Sequence, residues 1–299
     1  MFWLALATIY VVWGSTYLAI RVMVETVPPF LGAGLRFLAA GSIFYGALAF
    51  RRRRLSFRIG RPELLGAALV GLLLLFGGNG LVTVAETDVP SGLVALIVAS
   101  IPLWVVVIRL VARERIGKAT LAGVGLGFVG VAILVVPGDR PGSAPLGGVL
   151  LAVFAASLWA LGSFASTRAP LPSDPLLSTA VQMLVAGAVM TVIGLAVGEG
   201  SDVHAGSISG RSLLAFAYLV VAGSLLAFTA YVWLLQNAPI STVSTYAYVN
   251  PVIAVFLGWA ILSEDVTMSV VVATVVIVAS VAFVVWRESR LRAAGDGST

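Results

Sequence analysis

The chain has no cysteine among its 299 residues. Disulfides and thiolate metal sites are therefore excluded, and the redox compartment leaves no mark on the sequence. Histidine is nearly as scarce: the single one, His204, lies in the polar stretch EGSDVHAGSISGR, where an imidazole reads as an ordinary loop residue. Charge is the largest shortfall. Only 10% of the residues are charged against 60% hydrophobic, whereas soluble domains average about 25% charged residues, so this chain cannot clothe a globular surface in polar groups. Also missing are HExxH, GxSxG and any pair of mid-span aspartates, which leaves an enzyme reading without its nucleophile or base. No metal and no cofactor is expected.

What is present instead is apolar length. Apolar stretches fall at roughly 2–24, 30–50, 63–83, 89–111, 119–137, 146–167, 175–197, 212–235, 240–262 and 267–286, each close to the ~20 residues that cross a bilayer. The connectors between them are short, so a compact polytopic membrane protein is expected. The first stretch lacks a basic leader, is too long for a signal-peptide core and runs straight into the second, so it reads as a membrane helix.

The net charge of +5 does not point to nucleic acid, because its placement follows membrane topology. Arg51, Arg52, Arg53, Arg54, Arg58 and Arg61 follow stretch two; Arg113, Arg115 and Lys118 follow stretch four; Arg168 follows six; Arg287, Arg290 and Arg292 follow ten. The odd-numbered exits hold only Arg140 and Arg211, beside Glu25, Asp88, Asp139, Glu199, Asp202, Glu264 and Asp265. The positive-inside rule then sets the even exits and both termini in the cytoplasm.

The two halves look alike. In AETDVPSGLVALIVASIPLWVVVIRLVARE (85–114) and NAPISTVSTYAYVNPVIAVFLGWAILSE (237–264), Pro90 and Pro102 stand twelve apart, as do Pro239 and Pro251. The expected architecture is all-α, with ten transmembrane helices in two five-helix repeats over 1–140 and 146–290 and a cytoplasmic tail at 291–299. An odd number of crossings inverts the second repeat, an arrangement common in transporters. Pro90, Pro239 and the Pro28–Pro29 pair suit first-turn positions. Pro102 and Pro251 fall mid-span and free the carbonyls of Val98 and Ala247, which lipid cannot satisfy. Helix breaks that line a cavity or gate it are therefore expected there, with Asn250 supplying an amide.

The stretch IYVVWGSTYLAIRVMVETVPPFLGAGLRFLAAG (9–41) resembles the opening of EamA proteins in the drug/metabolite transporter superfamily, with its Trp-Gly-Ser-Thr start, Pro-Pro turn and following Arg-Phe. Thr83–Pro137 and Gly147–Trp286 are similar to the rest of that pattern. The resemblance implies ten helices in inverted repeats and export of small metabolites across the bacterial cytoplasmic (inner) membrane. Within the family the chain looks most like amino-acid exporters of the YddG type. The second half departs from the first, since WALGSFASTR (159–168) stands where WGSTYLAIR does and loses the compact Gly-Ser-Thr.

Tyr10, Trp13, Tyr17 and Arg21 share one face of the first helix, Asn79, Thr83 and Glu86 one face of the third, and Thr242, Tyr246 and Asn250 one face of the ninth. Polar stripes inside spans imply a wet or protein-lined interior. Trp13, Tyr17, Asn79, Thr83, Trp159, Gln182, Tyr246 and Asn250 are the candidate substrate residues, with Ser163 alongside Trp159; for each, packing is an equal reading. Trp3 and Trp286 suit the membrane interface. Arg36 costs about 3 kcal/mol on insertion scales if central. Snorkelling or bonding to helix carbonyls is favoured for it over capture of a substrate carboxylate.

Glu86 and Asp88 fall at an outer exit and Glu114, Glu264 and Asp265 at helix ends, so no proton relay is legible and a carrier running down its solute gradient, or exchanging solutes, fits better. Aromatic rings and amides suit neutral or zwitterionic metabolites, amino acids first. Other amphipathic solutes such as drug-like amines or nucleosides, or a non-transporting protein such as a lipid scramblase, are the alternatives. The expected partners are a small-molecule substrate and the lipid bilayer, with no nucleic acid, and the chain is expected to act as a monomer. GLGFVG (125–130) fits a dinucleotide fingerprint but lies inside an apolar span. Gly123 and Gly127 there form the small-xxx-small spacing that brings membrane helices together.

Overall fold

The computed structural model describes residues 1–51, 59–135, 144–203, 206–238 and 240–296. The basic residues Arg52, Arg53, Arg54 and Arg58, the repeat boundary with Asp139 and Arg140, His204 and Pro239 lie outside the described residues, as do residues 297–299 of the tail and the side chains of residues 291–296. Ten apolar helices order the described chain: α1 Phe2–Met23, α2 Pro29–Arg51, α3 Arg61–Ala85, α4 Ser91–Val111, α5 Lys118–Val135, α6 Leu146–Ser166, α7 Pro175–Ala196, α8 Gly210–Asn237, α9 Tyr246–Leu262 and α10 Met268–Asp296. Nine are long and apolar enough to cross a membrane, and α9 is a shorter apolar helix. Among the described residues there is no strand.

The helices pack in pairs. Helix α2 lies along α7 and α5 along α10, while α1 packs on both α8 and α9, and α6 on both α3 and α4. Small residues permit the first two contacts, because lipid supplies no hydrophobic drive and close van der Waals approach must replace it. A Cβ on Gly187 would stand 2.8 Å from the Leu38 nitrogen of α2, and one on Gly123 would stand 2.8 Å from Phe283 of α10. The expected packing role of the α5 glycines is thus what the geometry gives.

Two helices carry mid-length π-type turns: α3 at Leu72–Gly80 and α8 at Leu219–Leu226. Such turns loosen the bonding ladder and often mark functional positions. Helix α4 is interrupted at Ala99–Ser100 and resumes at Ile101. Pro102 is there the second residue of the new segment, where its missing N–H has no partner to lose. The break expected at Pro251 lies elsewhere, since α9 runs continuously through Pro251. The irregular backbone precedes it at Ser244–Thr245, where Thr245 N donates to Thr242 O at 3.3 Å and Ala247 N to Ser244 O at 3.1 Å. Proline conflicts with the carbonyl four residues back, here Ala247, and by starting at Tyr246 the helix confines that loss to its first turn.

The two ends of the bundle are bound differently. At the end bearing Glu25, Glu199 and Glu264, two carboxylates cap helices distant in sequence. Glu199 accepts from Phe30 N at 3.1 Å and Leu31 N at 2.8 Å, and Glu264 accepts from Ser91 N at 2.7 Å and Gly92 N at 2.9 Å. Both satisfy orphan donors at a helix N-terminus and sit at its positive pole. At the opposite, basic end the chain uses ion pairs. Arg109 donates to Glu114 at 2.6 Å and also to Glu288, and Arg168 donates to the other Glu114 oxygen at 2.6 Å.

Candidate functional site

A cavity lies midway along the bundle, where the π-type turn of α3, the interruption of α4 and the start of α9 meet; α8 adds Phe228, just past its own π-type turn. Its volume is about 130 Å³, room for several waters at about 30 Å³ each and so for one small metabolite. Of the sequence candidates, Trp13, Tyr17, Arg36, Asn79, Trp159, Tyr246, Asn250, Pro102 and Pro251 line it. Val98 and Ala247, the residues four before the two prolines, line it as well.

Arg36 holds the centre of this arrangement. It is 3% exposed, so it does not snorkel, and its bonds go to side chains rather than to helix carbonyls. Nε donates to Ser224 Oγ at 3.0 Å and Nη1 to Asn79 Oδ1 at 3.4 Å, and the guanidinium stands 4.8 Å from the Phe37 ring centroid. Asn79 belongs to the α3 π-type turn and Ser224 to that of α8, so one cation ties both together. Helix α2 can present it there because Gly223 admits Nη2, which would stand 3.3 Å from a Cβ at that position. No carboxylate among the described residues lies within ion-pair distance of it.

An aromatic cage forms one wall. Trp13 Nε1 donates to the Gly223 carbonyl at 3.2 Å, and its ring meets Phe228 at 5.4 Å, Tyr231 at 5.1 Å and Tyr246 at 5.2 Å between centroids. Edge-to-face pairs of this kind add to area burial and fix ring positions. Across the cavity, Trp159 lies on Gly78, where a Cβ would fall 2.6 Å from Cε3. Asn250 is 7% exposed; with its nitrogen facing the carbonyls it donates to Tyr10 O at 3.2 Å and Tyr246 O at 3.3 Å, which locks the start of α9 to α1. Tyr10 itself bonds Thr245 through its hydroxyl.

Two candidates are elsewhere. Thr83 is fully buried and its hydroxyl donates to Asn79 O at 2.9 Å, so it supports the π-type turn without lining the cavity. Gln182 faces α3, donating to Ser178 Oγ at 3.0 Å while a Cβ on Gly71 would strike its backbone. Ser163 bonds Trp159 O on its own helix. Residues the sequence does not single out for the site are Phe37, Ser224, Phe228 and Tyr231, whereas Glu86, expected at an outer exit, is fully buried. Aligning α8 on α3 as third helices of two halves sets Gly223–Ser224 beside Gly78–Asn79, a signal that finds Ser224. Nothing in the sequence separates Phe228 or Tyr231 from lipid-facing aromatics.

A bundle of membrane-spanning helices around one small polar and aromatic cavity is the form of a solute carrier. The EamA-like transporter family matches the chain twice, over residues 1–136 and 146–286, and the chain belongs to that family. It is 41% identical over 255 residues, covering 85% of this chain and 80% of the relative, to the uncharacterized inner membrane transporter YedA of Escherichia coli. A 28% identical relative covering 98% of this chain and 94% of its own length is the uncharacterized transporter YvbV of Bacillus subtilis. A 25% identical one, covering 87% of this chain and 86% of itself, is a probable amino-acid metabolite efflux pump of Salmonella typhimurium. A crystal structure at 23% identity superposes with a TM-score of 0.65 over 96% of both chains, a likeness of fold.

Proposed function

We propose that this transporter exports amino acids or related small neutral or zwitterionic metabolites by alternating access, as a YddG-type exporter of the EamA family. The observation that carries the reading is Arg36: a guanidinium buried on the cavity wall, held by two neutral side chains and without a carboxylate partner among the described residues. A buried cation calls for an anion, and its planar fork matches a carboxylate. The Trp13 cage and Trp159 then take the solute's apolar side chain. The name of the Salmonella relative supports the same class of cargo.

The architecture behind it is ten transmembrane helices in two inverted five-helix repeats, 1–140 and 146–290, with both termini in the cytoplasm of a bacterial inner-membrane protein acting as a monomer. Two matches of one family support the duplication, and so does the packing. The α2–α7 and α5–α10 pairs each join equivalent helices, and α1 meets α8 and α9 as α6 meets α3 and α4. The inner-membrane assignment follows from YedA's description and the orientation from the basic even exits.

Radiolabelled amino acids in proteoliposomes test the function. Saturable, competable flux that Arg36→Ala removes is expected; flux of amines or nucleosides but of no amino acid would replace the cargo, and lipid scrambling without solute flux would overturn the carrier. The apolar bulk of the cavity wall favours amphipathic solutes as the second cargo class, which the same panel reads.

A further inference from the structure

Glu86 follows the last residue of α3 and has no exposure at all, and neither of its carboxyl oxygens has a hydrogen-bond partner. It lies on the same helical face as Asn79 and Thr83, about one turn beyond Val82, which lines the cavity. The charged and titratable groups facing it are Arg21 and Tyr17 from α1, Arg36 from α2 and Glu264 from the α9–α10 connector; Asp88 follows two residues on. None of these side chains bonds the carboxyl. Arg21, the nearest cation, instead donates to the backbone carbonyls of Glu86 and Thr87, Arg36 is committed to Asn79 and Ser224, and Glu264 is a like charge engaged as the α4 cap. An ionised carboxyl sealed away from water without a single hydrogen bond is among the costliest groups a fold can hold. The neutral acid costs far less.

The same end of the bundle is closed by contacts that bridge the two halves: Glu199 on α2, Glu264 on α4, and Ser212 Oγ donating to Val22 O at 2.8 Å. Any motion that parts these contacts admits water to Glu86, and a carboxyl in water is ionised at neutral pH.

We propose that Glu86 is a proton-binding site that couples the acidic-end gate to pH: one proton is bound when that end closes and released when it opens. The sign follows by linkage. The closed form holds more protons than the open form, so acidification favours closure and alkalinity favours opening, by up to tenfold in their ratio per pH unit. In the orientation proposed above the acidic end is external, and an external proton then resets the carrier after it has discharged its solute. The inference rests on the alternating-access reading for the opening motion, but not on the identity of the cargo.

The absence of cysteine makes the test simple. Val82→Cys, one turn from Glu86, reports opening through its labelling by a membrane-impermeant thiol reagent added from the acidic side; Gly206→Cys, in an open loop position, corrects for the pH dependence of thiol reactivity. The corrected Val82→Cys rate should rise several-fold from pH 6 to pH 8 in an otherwise wild-type chain, without any solute present. With Glu86→Gln added, it should be slow and flat. A flat profile with Glu86 present, or an unchanged pH dependence with Glu86→Gln, overturns the proposal. Infrared difference spectra of the wild-type protein give a check that needs no variant at position 86: a protonated-carboxyl band at neutral pH, lost on alkalinisation, is expected, and its absence equally overturns the site. Failure to find amino-acid flux would remove the cargo proposal and leave these measurements intact.

Discussion

The third helix of each half loosens at mid-length, yet the two π-type turns do different things. That of α3 carries Gly77-Gly78-Asn79-Gly80 and presents an amide to Arg36 while Trp159 packs against Gly78. That of α8 carries Gly223-Ser224 and presents a hydroxyl to the same cation while its carbonyl takes the Trp13 indole. Among the described residues, the only guanidinium on the cavity wall comes from the first half, from α2. Similar backbones thus hold unlike chemistry around one cation. A symmetric pair would suit a symmetric ligand; here one cation and two indoles line the same cavity, and the proposed amino-acid cargo is likewise polar at one end and apolar at the other.

The largest effect should come from cutting the joint between the halves. Arg36→Ala is expected to reduce amino-acid flux by up to ~100-fold, because a hydrogen bond to a charged group is worth about 1.5–3 kcal/mol and, on the proposed reading, the guanidinium is also the counter-ion of the solute. Arg36→Lys keeps the charge and loses the planar fork, so roughly tenfold is expected, with the loss in apparent affinity. Flux assays in proteoliposomes decide both; an unaffected Arg36→Ala protein would return Arg36 to a packing role.

The comparison sharpens at the two glycines. Gly78→Ala puts a methyl group 2.6 Å from Trp159 Cε3, whereas Gly223→Ala puts one 3.1 Å from Thr16 Cγ2 and 3.3 Å from Arg36 Nη2. Overpacking costs about 1–3 kcal/mol, and the first substitution belongs at the upper end because an indole on the cavity floor cannot give way by rotating a flexible tip. Thermal unfolding in detergent should therefore show the larger drop for Gly78→Ala, and solute affinity should fall with it. Equal effects would mean that the two sides are mechanically equivalent. A smaller contrast is expected between Ser224→Ala, which removes a 3.0 Å bond, and Asn79→Ala, which removes one at 3.4 Å. Each costs about 1 kcal/mol, the serine more, and a double-mutant cycle with Arg36→Ala should return most of both as coupling.

Much of this was legible beforehand, and the boundary has physical causes. Apolar length, basic exits and aligned prolines are local signals, and the helices with their polar faces follow from them. Trp13, Tyr17, Asn79, Tyr246 and Asn250 were readable because each falls on a polar or aromatic stripe. Arg36 was visible as a residue but not as a site: its environment is built by α3 and α8, and no local pattern announces that two other helices loosen opposite it. Pro251 misled for a related reason. A proline signals a strained carbonyl, but the helix met that strain by starting later. Glu86 looked like a surface acid because a helix end in sequence is not a helix end in water, and α1, through Arg21, folds over it.

The smallest expected effect sets the two ends of the bundle against each other. At the acidic end carboxylates act as helix caps; at the basic end Glu114 bridges Arg109 and Arg168. The hydrogen bond from Arg109 holds the Glu114 carboxyl below the usual carboxylate range, helped by the charges of both arginines. Its folded form therefore binds a proton less readily than the unfolded chain, so its stabilisation is present above the unfolded value of about 4.3 and is lost as pH falls through the lower folded one. Because the bridge is solvent-accessible its contribution is modest and salt-sensitive. The midpoint of thermal unfolding should fall on acidification into that window and fall less steeply for Glu114→Gln, with the difference shrinking at high salt. A variant as acid-sensitive as the wild type would move the origin of that sensitivity from the ion pairs to the carboxylate caps at the other end.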